Sequence, residues 1–333
     1  MSLKILIIRF SSIGDIVLTT PVIRCLKEQT NCQIHYVTKK QFSKVIQNNP
    51  YIDKLFLLED GLNSLITSLK KEKYDYIIDL HHNLRSFIVK KRLGVPSFSF
   101  NKINIQKWLI SDFKINILPD VHIVDRYLDT CSSFNIVNDN KGLDFFIDKG
   151  NEINISDLPG ELHNGYFSLV IGAKHNTKQL PEDMLSNLCH KLRLPVILLG
   201  GKEDYEKGNK IISLMKQVST NTNFVFNACG MYNIQQSASL VKQSEVVITH
   251  DTGLMHIAAA LKKKIVSIWG NTIPEFGMYP YTSTEYKIFE VKLKCRPCSK
   301  IGYDKCPKGH FKCMRMQNID EIVAACHQMA NIK

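Results

Sequence analysis

VVITHDTGLMHIAAALKKKIVSIWGNT, residues 246–272, sets two short β-branched runs on either side of a helical stretch. Val246, Val247 and Ile248 make an apolar run of strand length, and residues 265–268 make a second. Between them lie a polar turn, residues 249–253, and a small-residue segment. In that segment Leu254, Ile257, Ala258 and Leu261 recur at the spacing of one buried helix face. The stretch therefore predicts a β–loop–α–β unit whose loop holds the polar chemistry. Thr252 and Gly253 fall where the helix begins, so unpaired backbone N–H groups and the positive end of the helix dipole face the loop. A diphosphate suits such a place, because donors and partial positive charge are already in position. The same pattern also fits a plainer arrangement, in which Asp251 or Thr252 only caps the helix and His256 only lies on its face.

Outward from this unit, strand-like and helix-like segments alternate, which predicts an α/β protein with parallel, doubly wound sheets. Residues 3–10 read as a buried parallel strand, followed by the turn Ser11-Ser12-Ile13-Gly14-Asp15 into a helix. Pro21 must kink or restart that helix, because it lacks an N–H and clashes with the preceding turn. Asp15, at a helix start and a strand's C-terminal edge, can take a proton from a bound hydroxyl or can simply cap the helix. Further strands are expected at 33–37, 54–57 and 76–80, with helices near 40–48, 62–72 and 84–93. His82, Arg85 and Ser86 lie where the strand ending near Leu80 runs into the last of these helices. With Lys90, Lys91 and Arg92 nearby, they are candidates for an acceptor-binding rim or for a solvated helix face. Residues 100–128, with Trp108, Lys114, His122 and Arg126, give no sharp signal.

The turn-rich stretch 147–165 reads as a linker. The boundary is drawn at 158/159, giving domains 1–158 and 159–333, with the last helix free to pack back on the first. The pattern restarts with a strand at 167–171, a loop containing Lys178, a helix opening at Pro181 and a strand at 196–199. Glu203, just after Gly200 and Gly201, is placed to accept hydrogen bonds from a ribose diol, and Lys178 is a counter-charge for phosphate.

The chain has 333 residues, 44% of them apolar, and a formal net charge of +12, so it can bury ordinary cores and suits an anionic partner. No apolar run approaches the roughly 20 residues a membrane span needs. No signal peptide is visible, because Arg9 interrupts the first apolar stretch. A cytoplasmic protein is expected, with any membrane contact peripheral. Ten cysteines in a chain of this length do not make a disulfide scaffold. Cys295 and Cys298, followed by Cys306 and Cys313, resemble a structural zinc site, although the later spacing is not a standard zinc pairing and reduced thiols fit equally.

Two stretches carry a family resemblance. ILIIRFSSIGDIVLTTP, residues 5–21, resembles the N-terminal signature of the ADP-heptose:lipopolysaccharide heptosyltransferases, glycosyltransferase family 9. Residues 249–281, with HDTGLMHIAAAL and SIWGNTIPEFGMYPY, look like that family's nucleotide-binding signature. The resemblance implies a GT-B fold: two Rossmann-like domains facing across a cleft, the first holding the acceptor and the second the nucleotide sugar. It implies that Asp15 matches the catalytic base and Lys178 the phosphate-binding lysine, and that Asp251, Thr252, Gly253 and His256 match the donor-binding DTGxxH. Gly14, beside Asp15, joins the donor-binding set, and Glu203 matches a ribose-binding glutamate. The loop 173–177 is short and unlike the heptosyltransferase I form, so another nucleotide sugar remains an alternative donor. The reaction implied is inverting and needs no catalytic cofactor. Its donor would be ADP-heptose, its acceptor a lipid-linked oligosaccharide at the cytoplasmic face of the inner membrane, and the enzyme a monomer.

Other classes fit less well. A nucleic-acid-binding protein would show a basic stripe with interleaved aromatics or a known motif. A Rossmann dehydrogenase would need GxGxxG after the first strand, where residues 10–17 contain only Gly14. A two-domain protein that binds a nucleotide sugar without turning it over remains to be separated by assay.

Overall fold

The computed structural model describes residues 3–218 and 223–332. The chain forms two compact units, one of Met1–Ile103 with Val121–Phe146, the other of Asn104–Asp120 with Ile147–Lys333.

The first unit is built on a five-stranded, all-parallel sheet of β1 (Lys4–Ile8), β2 (Gln33–Lys39), β3 (Lys54–Leu58), β4 (Tyr76–Asp79) and β5 (Ser97–Ser99), in the order β3-β2-β1-β4-β5. Ile5, Leu6, Ile7 and Ile8 of the central strand are all fully buried. A parallel sheet covered on both faces calls for such an unbroken apolar run rather than alternation. Leu6, Ile8 and Phe10 pack with Val37, Ile77 and Val89 in one core cluster. After β1 the chain makes a short helix, Ile13–Val17, and then a separate one, Thr20–Thr30, with Pro21 in its first turn. Pro21 therefore restarts the helix, at the position where its missing N–H has no partner to lose. The buried Arg24 on the second helix ties down the returning segment: it donates to both carboxylate oxygens of Asp139, at 2.7 and 2.8 Å, and pairs with Asp144. The helix expected near 40–48 is shorter, a 3₁₀ turn at Lys40–Phe42 followed by Ser43–Ile46.

The second unit carries a six-stranded, all-parallel sheet. Its strands are β6 (Phe167–Val170), β7 (Val196–Leu199), β8 (Val225–Asn227), β9 (Val246–His250), β10 (Lys264–Trp269) and β11 (Tyr286–Glu290), in the order β11-β10-β9-β6-β7-β8. The last helix, Ile319–Met329, puts Ile322, Cys326 and Met329 into this unit's core with Leu185 and Leu188. Its apolar face closes the second core. Residues 147–158, placed with the first domain by composition, also belong here. Their backbone is taken up by the helix Ile234–Gln243, with Asp148 N donating to Gln235 at 3.0 Å and Ile153 N to Ser239 at 2.9 Å. Residues 104–120 join the same unit, where Ile110 and Leu118 pack with Ile273 and Phe276.

Strand order reverses between β1 and β4 in the first sheet and between β6 and β9 in the second. In open α/β sheets ligands bind outside the carboxyl ends of the strands at such reversals. No helix among the described residues is long and apolar enough to cross a membrane.

Candidate active site

At the reversal in the first unit, Arg9 leaves the end of β1 and turns its side chain inward. Its guanidinium donates to Ser11 O at 2.6 Å and to Tyr127 Oη at 3.0 Å, and also to Leu80 O. The remaining nitrogen meets Asp15 Oδ1 at 2.7 Å. Burial opposes the charge on Arg9, but Asp15 and the phenols of Tyr127 and Tyr36 outweigh it and hold the guanidinium firmly protonated. The other carboxylate oxygen of Asp15 accepts from Ser12 Oγ at 2.6 Å and Ser12 N at 3.2 Å. Asp15 thus closes the capping box at the start of its helix from the third helical position, and 21% of its side chain is exposed. Gly14, one residue earlier, is buried, and its carbonyl accepts from Leu18 N at 2.9 Å.

After β4 the polar residues divide between structural and exposed roles. Asp79 is fully buried and accepts from His81 N at 3.0 Å, His82 N at 2.7 Å and Ser86 Oγ at 2.8 Å, with Lys90 Nζ 2.9 Å away. Ser86 is thus committed to Asp79 and to the cap of the helix Leu84–Leu93, and its side chain cannot line an acceptor site. His82 keeps Nδ1 within 2.9 Å of Phe100 O. Arg85 is exposed and borders a cavity of about 210 Å³ with Lys39, Leu58, Glu59, Gly61 and Leu62. His81, which sequence reading passed over in favour of His82, packs edge-on against Phe10 with ring centroids 5.3 Å apart. Burial, helped by Arg9 and Lys102, pulls its pKa down to about 4, so it stays neutral in the field of Asp15 and Asp79.

In the second unit the loops after β6, β9 and β10 converge at the reversal. Lys178 ends a 3₁₀ turn, Asn176–Lys178, in the first loop, and its Nζ lies 2.5 Å from Asp251 Oδ2. Thr272 Oγ1, after β10, donates to the same oxygen at 2.9 Å. Beside this trio Thr252 takes an extended N-cap conformation with no side-chain cap hydrogen bond, and the helix Gly253–Ala260 begins. The N–H groups of its first turn and the positive end of its dipole are thus directed at the loops. His256 is buried in that helix. His250 accepts from Leu180 N at 3.0 Å, and burial pulls its pKa down to about 3, so it acts as a neutral clamp on the end of the Lys178 loop.

Three residues that sequence did not single out position this cradle. Lys207 is half-buried and donates to Ile171 O at 2.9 Å and Gln179 Oε1 at 2.6 Å, while Gln179 Nε2 donates to Ala173 O at 2.6 Å. The two ends of the Lys178 loop are thereby stitched together. Burial lowers the Lys207 pKa to about 8. Asp204, next to Glu203, accepts from Gly201 N at 2.9 Å, and its bulk explains Gly200, where an added Cβ would stand 2.7 Å from the Asp204 Cβ. Glu203 itself is exposed. Arg296, inside the Cys295–Cys298 stretch, is buried and donates to Gly270 O, to Thr272 O at 2.8 Å and to Val291 O at 2.6 Å. It holds the loop that presents Thr272 to Asp251.

Cys295, Cys298, Cys306 and Cys313 are free thiols, and Cys295, Cys298 and Cys306 all lie within electrostatic reach of Cys313. Among the described residues no group of three or more His, Cys, Asp or Glu is arranged to hold a metal. Cys298 Sγ donates to Cys295 O at 3.1 Å, and Cys313 is buried in the second core, where burial pushes its thiol up to about 11.

The chain is similar to several known proteins. The family model for glycosyltransferase family 9 (heptosyltransferase) matches residues 62–307. Lipopolysaccharide heptosyltransferase 1 of Campylobacter coli is 26% identical over 296 residues, covering 81% of this chain and 84% of that protein. Lipopolysaccharide heptosyltransferase 2 of Salmonella typhimurium is 22% identical over 297 residues, covering 82% and 84%. Among solved structures, a glycosyl transferase family 9 protein from Veillonella parvula superposes with a TM-score of 0.77 at 19% identity, covering 100% of this chain and 99% of that one. The E. coli ADP-heptose LPS heptosyltransferase II superposes with a TM-score of 0.76 at 19% identity, covering 99% of each chain. The two parallel sheets are the two Rossmann-like domains of a GT-B fold. The chain belongs to glycosyltransferase family 9, the heptosyltransferase family, and is a glycosyltransferase.

Proposed function

We propose that this enzyme transfers a heptose from ADP-heptose to the inner core of a lipopolysaccharide precursor, with inversion at the anomeric carbon and without a catalytic metal. The observation that carries the reading is the convergence of Lys178, Asp251 and Thr272 beside the start of the helix Gly253–Ala260, at the strand-order reversal of the second unit. That arrangement suits a nucleoside diphosphate. Lys178 turns from Asp251 to the phosphates, and the N–H groups at Thr252 and Gly253 take the charge that grows on the leaving group. Glu203 reaches the ribose diol.

On the acceptor side, the Asp15 carboxylate takes the proton of the attacking hydroxyl. That oxygen forms the new glycosidic bond as the bond from the anomeric carbon to the diphosphate breaks, and ADP leaves with the electron pair. Arg9 and Ser12 fix Asp15 in orientation and charge. Arg85, with the cavity it shares with Lys39, is suited to an anionic group on the acceptor. Relatives named for heptose transfer to lipopolysaccharide support this choice of substrates.

A calorimetric screen of ADP, GDP and UDP with their sugars tests the donor. The reading expects ADP and ADP-heptose to bind most tightly. Preference for UDP or GDP sugars would favour a family relative with a changed donor, and binding without turnover would favour a sensor.

A further inference from the structure

We infer that the second unit carries a docking surface for an anionic lipid bilayer, made by an apolar ridge at residues 104–117 and a basic lobe at residues 292–312. The ridge lies in the stretch that carried no sequence signal. Ile105, Trp108, Phe113, Ile115 and Ile117 are between 47% and 70% exposed, far more apolar surface than so short a segment needs to show. The ridge is not a loose loop. Its inner side is anchored by Ile110 and Leu118 against Ile273 and Phe276, and the Lys107 ammonium stands 5.6 Å from the Phe276 ring. The Trp108 and Phe113 rings meet edge to face at 4.9 Å.

Lys114 joins the ridge to the lobe, donating to Ser111 O at 2.6 Å and to Pro297 O at 2.7 Å. In the lobe Lys292, Lys294, Lys300, Lys305, Lys308 and Lys312 are all exposed, and Asp304 is the sole acidic residue between 292 and 312. Ile301 and Tyr303 add exposed apolar surface among them. Aliphatic and aromatic side chains beside a lysine cluster are what an interfacial protein presents to a leaflet rich in anionic headgroups.

The charge selects the occupant. A second copy of the chain would bring two lysine clusters together. A nucleic acid would leave the isoleucines in water, since they can neither stack on bases nor pair with phosphate. The inference goes beyond the transfer reaction, and binding is read with no donor or acceptor present.

The chain contains two tryptophans, and Trp269 is buried, so Trp108 reports contact at the ridge. The full-length protein is mixed with vesicles of phosphatidylglycerol and phosphatidylethanolamine, and in parallel with phosphatidylcholine alone. Expected are co-flotation with the anionic vesicles, weakened by salt, and a blue shift of Trp108 emission that brominated lipid quenches. K305Q/K308Q/K312Q should lower partitioning by on the order of a hundredfold. I105S/I115S/I117S should abolish the blue shift while leaving the thermal transition unchanged. No flotation at physiological ionic strength overturns the inference, as does flotation that both variants retain. Binding of a single-stranded oligonucleotide in preference to the vesicles also overturns it.

Discussion

Lys178 Nζ and Asp251 Oδ2 stand 2.5 Å apart where the strand order of the second sheet reverses, so the lysine proposed to meet phosphate is held by a carboxylate until phosphate arrives. The pair keeps the cation aimed, and Thr272 fixes the carboxylate from the next loop. Lys178→Ala should therefore weaken ADP binding about 10- to 100-fold, the range for a charge-assisted hydrogen bond. It should also lower turnover, because the same cation meets the leaving group. Calorimetry with ADP and steady-state kinetics check both, and unchanged values would remove Lys178 from the cradle.

Asp15 sits in a different relation to the reaction. Asp15→Asn should leave ADP affinity within twofold while kcat falls about 10²- to 10⁴-fold, the usual loss for a well-placed general base. The Arg9 guanidinium then faces a neutral amide, so the variant must first be shown to melt as a folded protein.

The stability of the first unit should depend on Arg24, which neutralises Asp139 and Asp144 from a buried position. Removing one member of a buried charge network costs about 3–5 kcal/mol, and Arg24→Ala should show a loss of that order in chemical denaturation. Hydrogen bonding from Arg24, against the opposing effect of burial, holds the Asp139 carboxyl down at about 2. A depressed carboxyl pKa stabilises the fold above its unfolded value, near 4, and that contribution is lost as pH falls toward 2. The variant should therefore show a shallower acid limb over that window.

Lys207 gives a signature on the alkaline side. Burial lowers its pKa to about 8, so between pH 8 and the ordinary lysine range the unfolded chain binds the extra proton and stability rises with pH. Lys207→Met removes that term. The melting temperature of the wild type relative to the variant should climb from pH 8 to pH 10, and a flat difference would contradict the lowered lysine pKa. Because Lys207 stitches the Lys178 loop through Gln179, the variant should also raise the donor KM more than it lowers kcat.

Much of the second unit was legible in the chain, because β9 opens on an unbroken apolar run and the helix after it is rich in small apolar residues. β5, β8 and β11 were not, being short or partly exposed strands toward the sheet margins with no continuous run to mark them. The site divides in the same way. Residues at loop starts, such as Lys178 and Asp251, show in local pattern, but their partners lie far off in sequence. Tyr127 reaches Arg9 across 118 residues, and Arg296 reaches Thr272 across 24. Arg9 showed in the chain only as a break in an apolar stretch, and Ser86 looked available because its bond to the buried Asp79 cannot be seen in one dimension.

The most direct measurement is the anomeric configuration of the product, read by NMR after incubating the enzyme with ADP-heptose and a lipopolysaccharide inner-core acceptor. The account predicts a glycoside of inverted configuration, ADP released in equal amount, and almost no product from Asp15→Asn. A product of retained configuration, or one that the Asp15→Asn enzyme makes at the wild-type rate, would contradict it.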